Sequence, residues 1–515
     1  PFKAAVTEAG VLVVMPAYSE YDGIPASASK LLLKRVLREE WGFRGHTFSD
    51  YGAIGMLQDV HRTAGSPAEA GKQALEAGLD VEGPGPHGFG DALLGLVRKG
   101  EVSVDLIDGA VYRVLRTKFL AGLFENPYAD IETGLRLVNC PAHRKLARQV
   151  ARESIILLKN EKSLLPLDRG IGKIAVIGPN ADLEQLGGYS LPKADAVTPL
   201  EGIRSAVSGQ TEVIHAQGCH IFAQSREGFA EAVEAAGRSD VAIVVLGGAS
   251  CVPASIGPAP EKGNLTCGEA YDRTQLTLPG VQEELVRTVH GTETPTIVVL
   301  VHGRPYGIPW VAEHVPAILD AWYAGEEGGN ALADVLFGKV NPSGKLPVSV
   351  PRSVGHVPAF YNHKPSARGY YHAPGTADSP GQDYVFSSTT PLYEFGHGLS
   401  YTSFKYTKLR VSPRRILPGG RVSISVDVRN AGKLAGKEVV QLYVNDVFSS
   451  VTTPVKVLRR FEKIGLAPGQ QKTVSFELAP EDFALLDEDM NWVVEPGTFE
   501  VMVGDKVKTF DVVQP

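Results

Sequence analysis

The sequence predicts a multidomain α/β protein that ends in a β-sandwich. Strand-length apolar runs alternate with amphipathic helical stretches over residues 1–130, and again over 150–360. Beyond residue 392 the apolar period switches to two. A chain of 515 residues is also too long for one hydrophobic core, so two or three domains are expected.

In the first region, Gly10–Met15 is an apolar run of strand length. Ser27–Glu39 carries Leu32, Leu33, Val36 and Leu37 on one helical face. His46–Asp50 is a second short strand. Ser66-Pro67-Ala68-Glu69 opens a helix, with Ser66 as N-cap, Pro67 in the first turn and Glu69 completing a capping box. Gly78 ends that helix, and Leu79–Glu82 is a third strand. Two amphipathic helices follow, Phe89–Lys99 and Val104–Phe119. Strands alternating with helices imply a parallel sheet with right-handed crossovers. Three such units cannot close a (β/α)8 barrel. Residues 1–125 are therefore expected to be the C-terminal portion of a barrel whose earlier strands come from an upstream segment or a second chain.

A linker is expected over 126–150. The second α/β domain, 151–361, should hold strands at Lys173–Ile177, Val241–Leu246, Thr296–Val301 and Ala317–Ala321. Its helices are expected around Glu227–Ala236, Pro279–His290 and Gly329–Phe337. Residues 362–404 form a connecting segment rich in Gly, Pro, Ser and Asp. In 405–515, alternation at Val422/Ile424/Val426/Val428, Val440/Leu442/Val444, Val474/Phe476/Leu478 and Phe499/Val501/Val503 predicts a β-sandwich.

The formal net charge of −7 gives no electrostatic footprint for nucleic acid or an anionic membrane. Apolar runs such as Thr296–Val301 are far too short to span a bilayer. The four cysteines, Cys140, Cys219, Cys251 and Cys267, lack metal-site spacing, and the histidines do not cluster. A Cys251–Cys267 disulfide would stiffen the intervening loop, but two free thiols are the plainer expectation at this low cysteine density. Gly187-Gly188 and Gly247-Gly248 lack the spacing of a phosphate cradle and read as turns.

Several strings resemble glycoside hydrolase family 3. They include Val14-Met15-Pro16-Ala17-Tyr18-Ser19-Glu20-Tyr21-Asp22-Gly23, Glu40-Trp41-Gly42-Phe43-Arg44-Gly45 and Phe48-Ser49-Asp50-Tyr51-Gly52-Ala53. The likeness continues in Glu153–Asn160, Asp334–Gly338, Asn341–Pro347 and Pro391–Tyr401, and in Leu458-Arg459-Arg460-Phe461-Glu462-Lys463 of the sandwich. It runs in order over nearly the whole chain. It implies a barrel, an α/β sandwich domain and a fibronectin III-like domain.

The resemblance also implies roles. Asp50, at the C-terminal end of a barrel strand, would be the nucleophile that forms a glycosyl-enzyme intermediate; by position alone it could equally be a turn or N-cap aspartate. Glu269 lies in Gly268-Glu269-Ala270-Tyr271-Asp272-Arg273, where the family pattern has a second Gly in place of Ala270. It would be the acid/base, with Glu261 in the same loop as its alternative and a solvated loop glutamate as the plain reading. Tyr18 and Tyr51 would line or stack on the sugar, and Glu82 is a further substrate-binding candidate that an ion pair would explain equally well. Asp272 and Arg273 are expected to pair at the loop's rim.

The implied activity is that of a retaining, exo-acting β-glycosidase on β-linked oligosaccharides or aryl glycosides. β-Glucosidase comes first and β-xylosidase second, and no cofactor or metal is needed. A glycoside phosphorylase and a non-catalytic carbohydrate-binding remnant are the rivals. A periplasmic or secreted location follows by analogy only, and a homodimer is left open.

Overall fold

Where the sequence places parallel strands, the computed structural model pairs them in parallel. It describes residues 1–190, 195–250, 265–269, 271–365 and 387–514. The chain forms two units, Pro1–Leu137 and Val138–Pro515, each described by itself.

In the first unit, β1 (Val13–Val14) pairs in parallel with β2 (His46–Thr47), matching Val13 to His46 and Val14 to Thr47. A parallel bridge joins Phe48 to Val81, so the third expected strand is present only as this contact. Between β1 and β2 the segment Leu31–Glu40 winds as a π-helix and buries Leu33 and Leu37. Four helices follow: α1 (Ala53–Asp59), α2 (Pro67–Ala77), α3 (Asp91–Arg98) and α4 (Val104–Leu120). Ser66 caps α2 by accepting from Glu69 N–H, and Gly78 ends it at φ +109°. The expected capping box is modified. The Glu69 carboxylate accepts from Gly65 N–H at 2.8 Å, one residue before the N-cap.

The sequence did not single out the charge at the heart of this unit. The Asp80 side chain is fully buried beside β2. Its Oδ2 accepts from Arg38 at 2.7 Å and from Thr47 N–H at 2.8 Å. Its Oδ1 accepts from Arg113 Nε and Nη2 at 2.9 and 2.6 Å. One carboxylate thus ties the π-helix, β2 and α4 together.

The linker expected over 126–150 contains the helix Ile131–Leu137 and most of α5 (Pro141–Ser154). Pro141 at the first position and charged residues on the exposed face make α5 a surface helix. The strands of the second unit then build a six-stranded sheet: β3 (Ile156–Asn160), β4 (Lys173–Ile177), β5 (Glu212–Ala216), β6 (Val241–Gly247), β7 (Thr296–Val301) and β8 (Ala317–Asp320). The order is β3-β8-β7-β6-β4-β5, parallel except for the antiparallel edge strand β3. Every residue of β6, β7 and β8 is buried, as expected for strands covered on both faces. The covering helices include α6 (Pro199–Ala206), α7 (Phe229–Gly237), α8 (Gln282–His290), α9 (Pro309–His314) and α10 (Gly328–Leu336).

The C-terminal domain is a sandwich of two layers, antiparallel except where the short strand Arg415–Ile416 joins the second in parallel. One is β9 (Phe404–Ser412), β10 (Val422–Asn430) and β13 (Gln471–Leu478). The other is built on β11 (Gly436–Asp446), β12 (Val457–Leu466), β14 (Gly497–Val503) and β15 (Lys506–Val512). The alternating residues read from the sequence fill the space between the layers, around the stacked Phe499 and Phe510 rings.

Asp80→Ala would leave two arginines facing a buried gap. A loss of roughly 3–5 kcal/mol is expected in chemical denaturation of the first unit. Asp446, at the end of β11, gives the opposite sign. Burial, with Glu495 nearby, pushes its carboxyl up to about 6. The folded state then holds a proton that the unfolded chain releases near pH 3.9, so ionised Asp446 opposes folding above about pH 6. Asp446→Asn should raise the melting temperature at pH 7.5 and leave it unchanged at pH 3.5.

Candidate active site

In the first unit the chain leaves β2 through Phe48, Ser49 and Asp50. Ser49 is fully buried and held twice: its N–H donates to Val81 O, and its Oγ accepts from Gly83 N–H, both at 2.9 Å. Gly52 N–H donates to Gly83 O at 2.9 Å, and Gly52 adopts φ +77° before α1 begins. A side chain at that φ would be strained, so glycine lets the strand turn at once into a helix. The Asp50 carboxylate is set by this turn. Its Oδ1 accepts from Tyr51 N–H at 2.7 Å, and its carbonyl accepts from Ala53 N–H at 3.1 Å.

Tyr18 and Tyr51 join the same turn. Tyr18 Oη donates to Tyr51 O at 2.9 Å, and His61 Nε2 donates to Tyr18 O at 2.8 Å. Tyr18 is therefore a brace for the Asp50 turn, and His61, which no motif in the sequence singles out, braces Tyr18. Tyr51 is 60% exposed, which leaves it available for stacking. Glu82 belongs to the next strand end. Its carboxylate accepts from Gly88 N–H and Phe89 N–H, the latter at 2.8 Å, and so orders the loop after Gly83. The ion pair imagined for Glu82 instead sits two residues earlier, on Asp80.

In the second unit the Glu269 loop hangs from the C-terminal end of β6. Gly247 takes φ +135°, and a Cβ there would lie 1.9 Å from Val301 O. Only glycine fits this approach of strand to strand. The Gln282 amide accepts from Gly247 N–H and donates to Gly247 O, each at 2.8 Å. Ala249 then anchors the loop's far limb. Its N–H donates to Thr266 Oγ1 at 3.0 Å, and its carbonyl accepts from the N–H groups of Thr266 and Cys267.

Cys267 is a free, buried thiol whose Sγ shares a 2.8 Å hydrogen bond with Tyr323 Oη. Burial pushes that phenol far above its ordinary range, so it keeps its proton. Gly268, at φ +111°, lifts Glu269 out to an exposed position, where Tyr189 Oη donates to its Oε2. The expected Asp272–Arg273 pair is absent among the described residues. The Arg273 guanidinium lies 5.7 Å from the Tyr306 ring centroid instead. Glu261 and Cys251 lie outside the described residues. Among the described residues no group of three His, Cys, Asp or Glu side chains could hold a metal ion.

The structure thus gathers Asp50, Tyr18 and Tyr51 at one turn of the first unit, with Glu82 on the adjoining loop. It sets Glu269 with Tyr189 in the second unit. Family models match in chain order. Residues 1–117 match the glycosyl hydrolase family 3 N terminal domain, 155–401 its C-terminal domain, and 438–507 a fibronectin type III-like domain. A beta-xylosidase of Formosa agariphila is 41% identical over 99% of this chain and 70% of its own length. The chain belongs to glycoside hydrolase family 3.

Within family 3, the chain is also 40% identical to a periplasmic beta-glucosidase of Salmonella typhimurium, over 98% of this chain and 67% of that protein. Among solved structures, a β-glucosidase from Erythrobacter marinus superposes with a TM-score of 0.89 at 40% identity, over the whole chain and 69% of its own. A β-glucosidase from Listeria innocua in complex with isofagomine gives 0.86 at 34%, over the whole chain and 70% of its own. Asp50 lies in the N-terminal family match and Glu269 in the C-terminal one.

The close approach at Gly247 predicts that Gly247→Ala costs roughly 3 kcal/mol or more, since strain and overlap add. Thermal melts should report the loss. Proteolysis should show the Glu269 loop cut faster than in wild type.

Proposed function

We propose that this family 3 glycoside hydrolase is a retaining, exo-acting β-glycosidase, with β-glucosidase the first assignment and β-xylosidase the second. One observation carries the reading. Relatives named for these two activities align over 98–99% of the chain, across both Asp50 and Glu269. Their identities of 41% and 40% do not separate glucose from xylose, which keeps the second assignment open. In this reading the first unit is the C-terminal portion of a (β/α)8 barrel, which the parallel pairing of β1 and β2 and the Phe48–Val81 bridge support.

The chemistry follows from two carboxyl groups in two states. Asp50, ionised and oriented by the Tyr51 amide, attacks the anomeric carbon as the glycosidic C–O bond breaks. Glu269 delivers its proton to the departing oxygen. Glu269, now a carboxylate, takes a proton from water, and the resulting hydroxide displaces Asp50 from the anomeric carbon. Two inversions give net retention, and such pairs stand about 5–5.5 Å apart across the bound sugar. Tyr51 presents an exposed ring on which a sugar face can stack.

The test is hydrolysis of 4-nitrophenyl β-glucoside and β-xyloside by wild type, Asp50→Ala and Glu269→Ala. Asp50→Ala should fall to background. Glu269→Ala should lose about 10²–10⁴-fold, less with the most activated leaving groups, and azide should restore turnover as a β-glycosyl azide. Near-wild-type activity in Glu269→Ala would remove it from the role. The wild-type ratio between the two sugars assigns specificity, and turnover without added phosphate separates hydrolysis from phosphorolysis.

A further inference from the structure

Tyr189 combines an unusual backbone conformation with an exposed side chain. Its backbone sits at φ +63°, a left-handed conformation in which a bulky aromatic residue is a genuine outlier. Such strain persists only where the surroundings over-determine it. The residue is 62% exposed. What the conformation achieves is contact. The phenol donates a hydrogen bond to Glu269 Oε2, eighty residues on in the sequence.

The loop that presents Tyr189 is itself fixed. Ser190 Oγ donates to Leu186 O at 3.1 Å, closing the turn. Gly187, at φ +91°, lies against the Tyr323 ring, where a Cβ would stand 3.4 Å from the nearest ring carbon. The same Tyr323 holds Cys267, two residues before Glu269, through its hydroxyl. One half-buried tyrosine therefore supports both loops, and a second, exposed one joins their tips at the carboxylate.

We propose that Tyr189 is a positioning residue for the acid/base Glu269. The proposal rests on the assignment of Glu269 made above. Tyr189 occupies Oε2 and leaves Oε1 to carry the proton toward the glycosidic oxygen. As the C–O bond breaks, the proton passes from Glu269 to the leaving group, and the carboxylate that remains is stabilised by the phenol's hydrogen bond. Tyr189 keeps its own proton throughout. Its contribution is made when proton donation is needed and is absent when the leaving group departs unaided.

That dependence supplies the test. Wild type, Tyr189→Phe and Glu269→Ala are compared on 2,4-dinitrophenyl β-glucoside, which needs no proton, and on cellobiose, which does; if xylose is preferred, the matching xylosides replace them. Tyr189→Phe should lower kcat/KM for the disaccharide by about 10-fold, mainly in kcat, and change the activated substrate by less than about twofold. The ratio between the two substrates does not depend on the fraction of folded enzyme, so a partly unfolded variant still gives the answer. A parallel fall on both substrates would mean a merely structural tyrosine and would overturn the proposal. Wild-type behaviour on both would overturn it too. If Glu269→Ala itself kept full activity on cellobiose, the acid/base assignment would fail first and take the proposal with it. Azide rescue of Glu269→Ala beside an unchanged Tyr189→Phe would sink the positioning role alone.

Discussion

The geometry of the second unit depends on how closely β6 and β7 approach at their C-terminal ends. A hydrogen at the Gly247 Cα is all the space allows, with Val301 O in the place a Cβ would take. Gly178, just past β4, repeats the pattern against Val245 O, where a Cβ would fall at 2.3 Å. Neighbouring parallel strands therefore end flush, and the loops that leave them start from one level of the sheet. Open parallel sheets bind and react at this edge. Here the edge fixes Ala249, Ala249 fixes Thr266 and Cys267, and Glu269 follows two residues later.

Charge does a different job on the far side of the sheet. Asp334, on α10, is buried, and burial works against its ionisation. Hydrogen bonds from Arg148 and Arg152 of α5 overcome this and hold its carboxyl below the ordinary range. Directly after Arg152, Glu153 reaches the sandwich, where it pairs with Lys437 of β11 and Lys463 of β12. Helix α5 is thus clamped to the sheet layer by one carboxylate and to the sandwich by another. Buried ion pairs add little net stability after desolvation, but removing one partner is costly. Their effect here is to fix which domain surfaces meet, while the apolar clusters within each domain supply the bulk of the folding energy.

The sequence was most legible where one rule dominated. The all-buried strands β6, β7 and β8 are unbroken apolar runs, and the sandwich strands β10, β11, β13 and β14 alternate cleanly. Edge strands are harder to read because they obey no single rule. In β5 the run Glu212-Val213-Ile214-His215-Ala216 is half polar, and β9 carries Lys405, Lys408 and Arg410 among its apolar positions. At the site, the resemblance to family 3 picked out Asp50 and Glu269, whereas spacing alone left each as an ordinary turn or loop residue. The hydrogen-bond partners were not legible, because they join residues far apart in sequence: Tyr18 with Tyr51, Asp80 with Arg113, Tyr189 with Glu269. Gly187-Gly188 reads as a turn in the sequence, and nothing there marks the aromatic residue directly after it.

The two carboxylates are supported in different ways, and the difference matches the tasks proposed for them. Asp50 is positioned almost wholly by backbone: a buried serine, a left-handed glycine and the amide of the next residue. A nucleophile must meet one carbon along one line in both half-reactions, and backbone hydrogen bonds at a strand end give it little freedom to drift. Glu269 is positioned largely by side chains, through Cys267–Tyr323 beneath it and Tyr189 beside it. An acid/base has two partners in turn, first a leaving group and then a water molecule, and it must lose and regain a proton between them. Side-chain support on an exposed loop permits that exchange, because a phenol can hold one carboxylate oxygen while the other changes its partner. In the proposed roles, the backbone-held carboxylate would make the bond to carbon and the side-chain-held one would carry the proton.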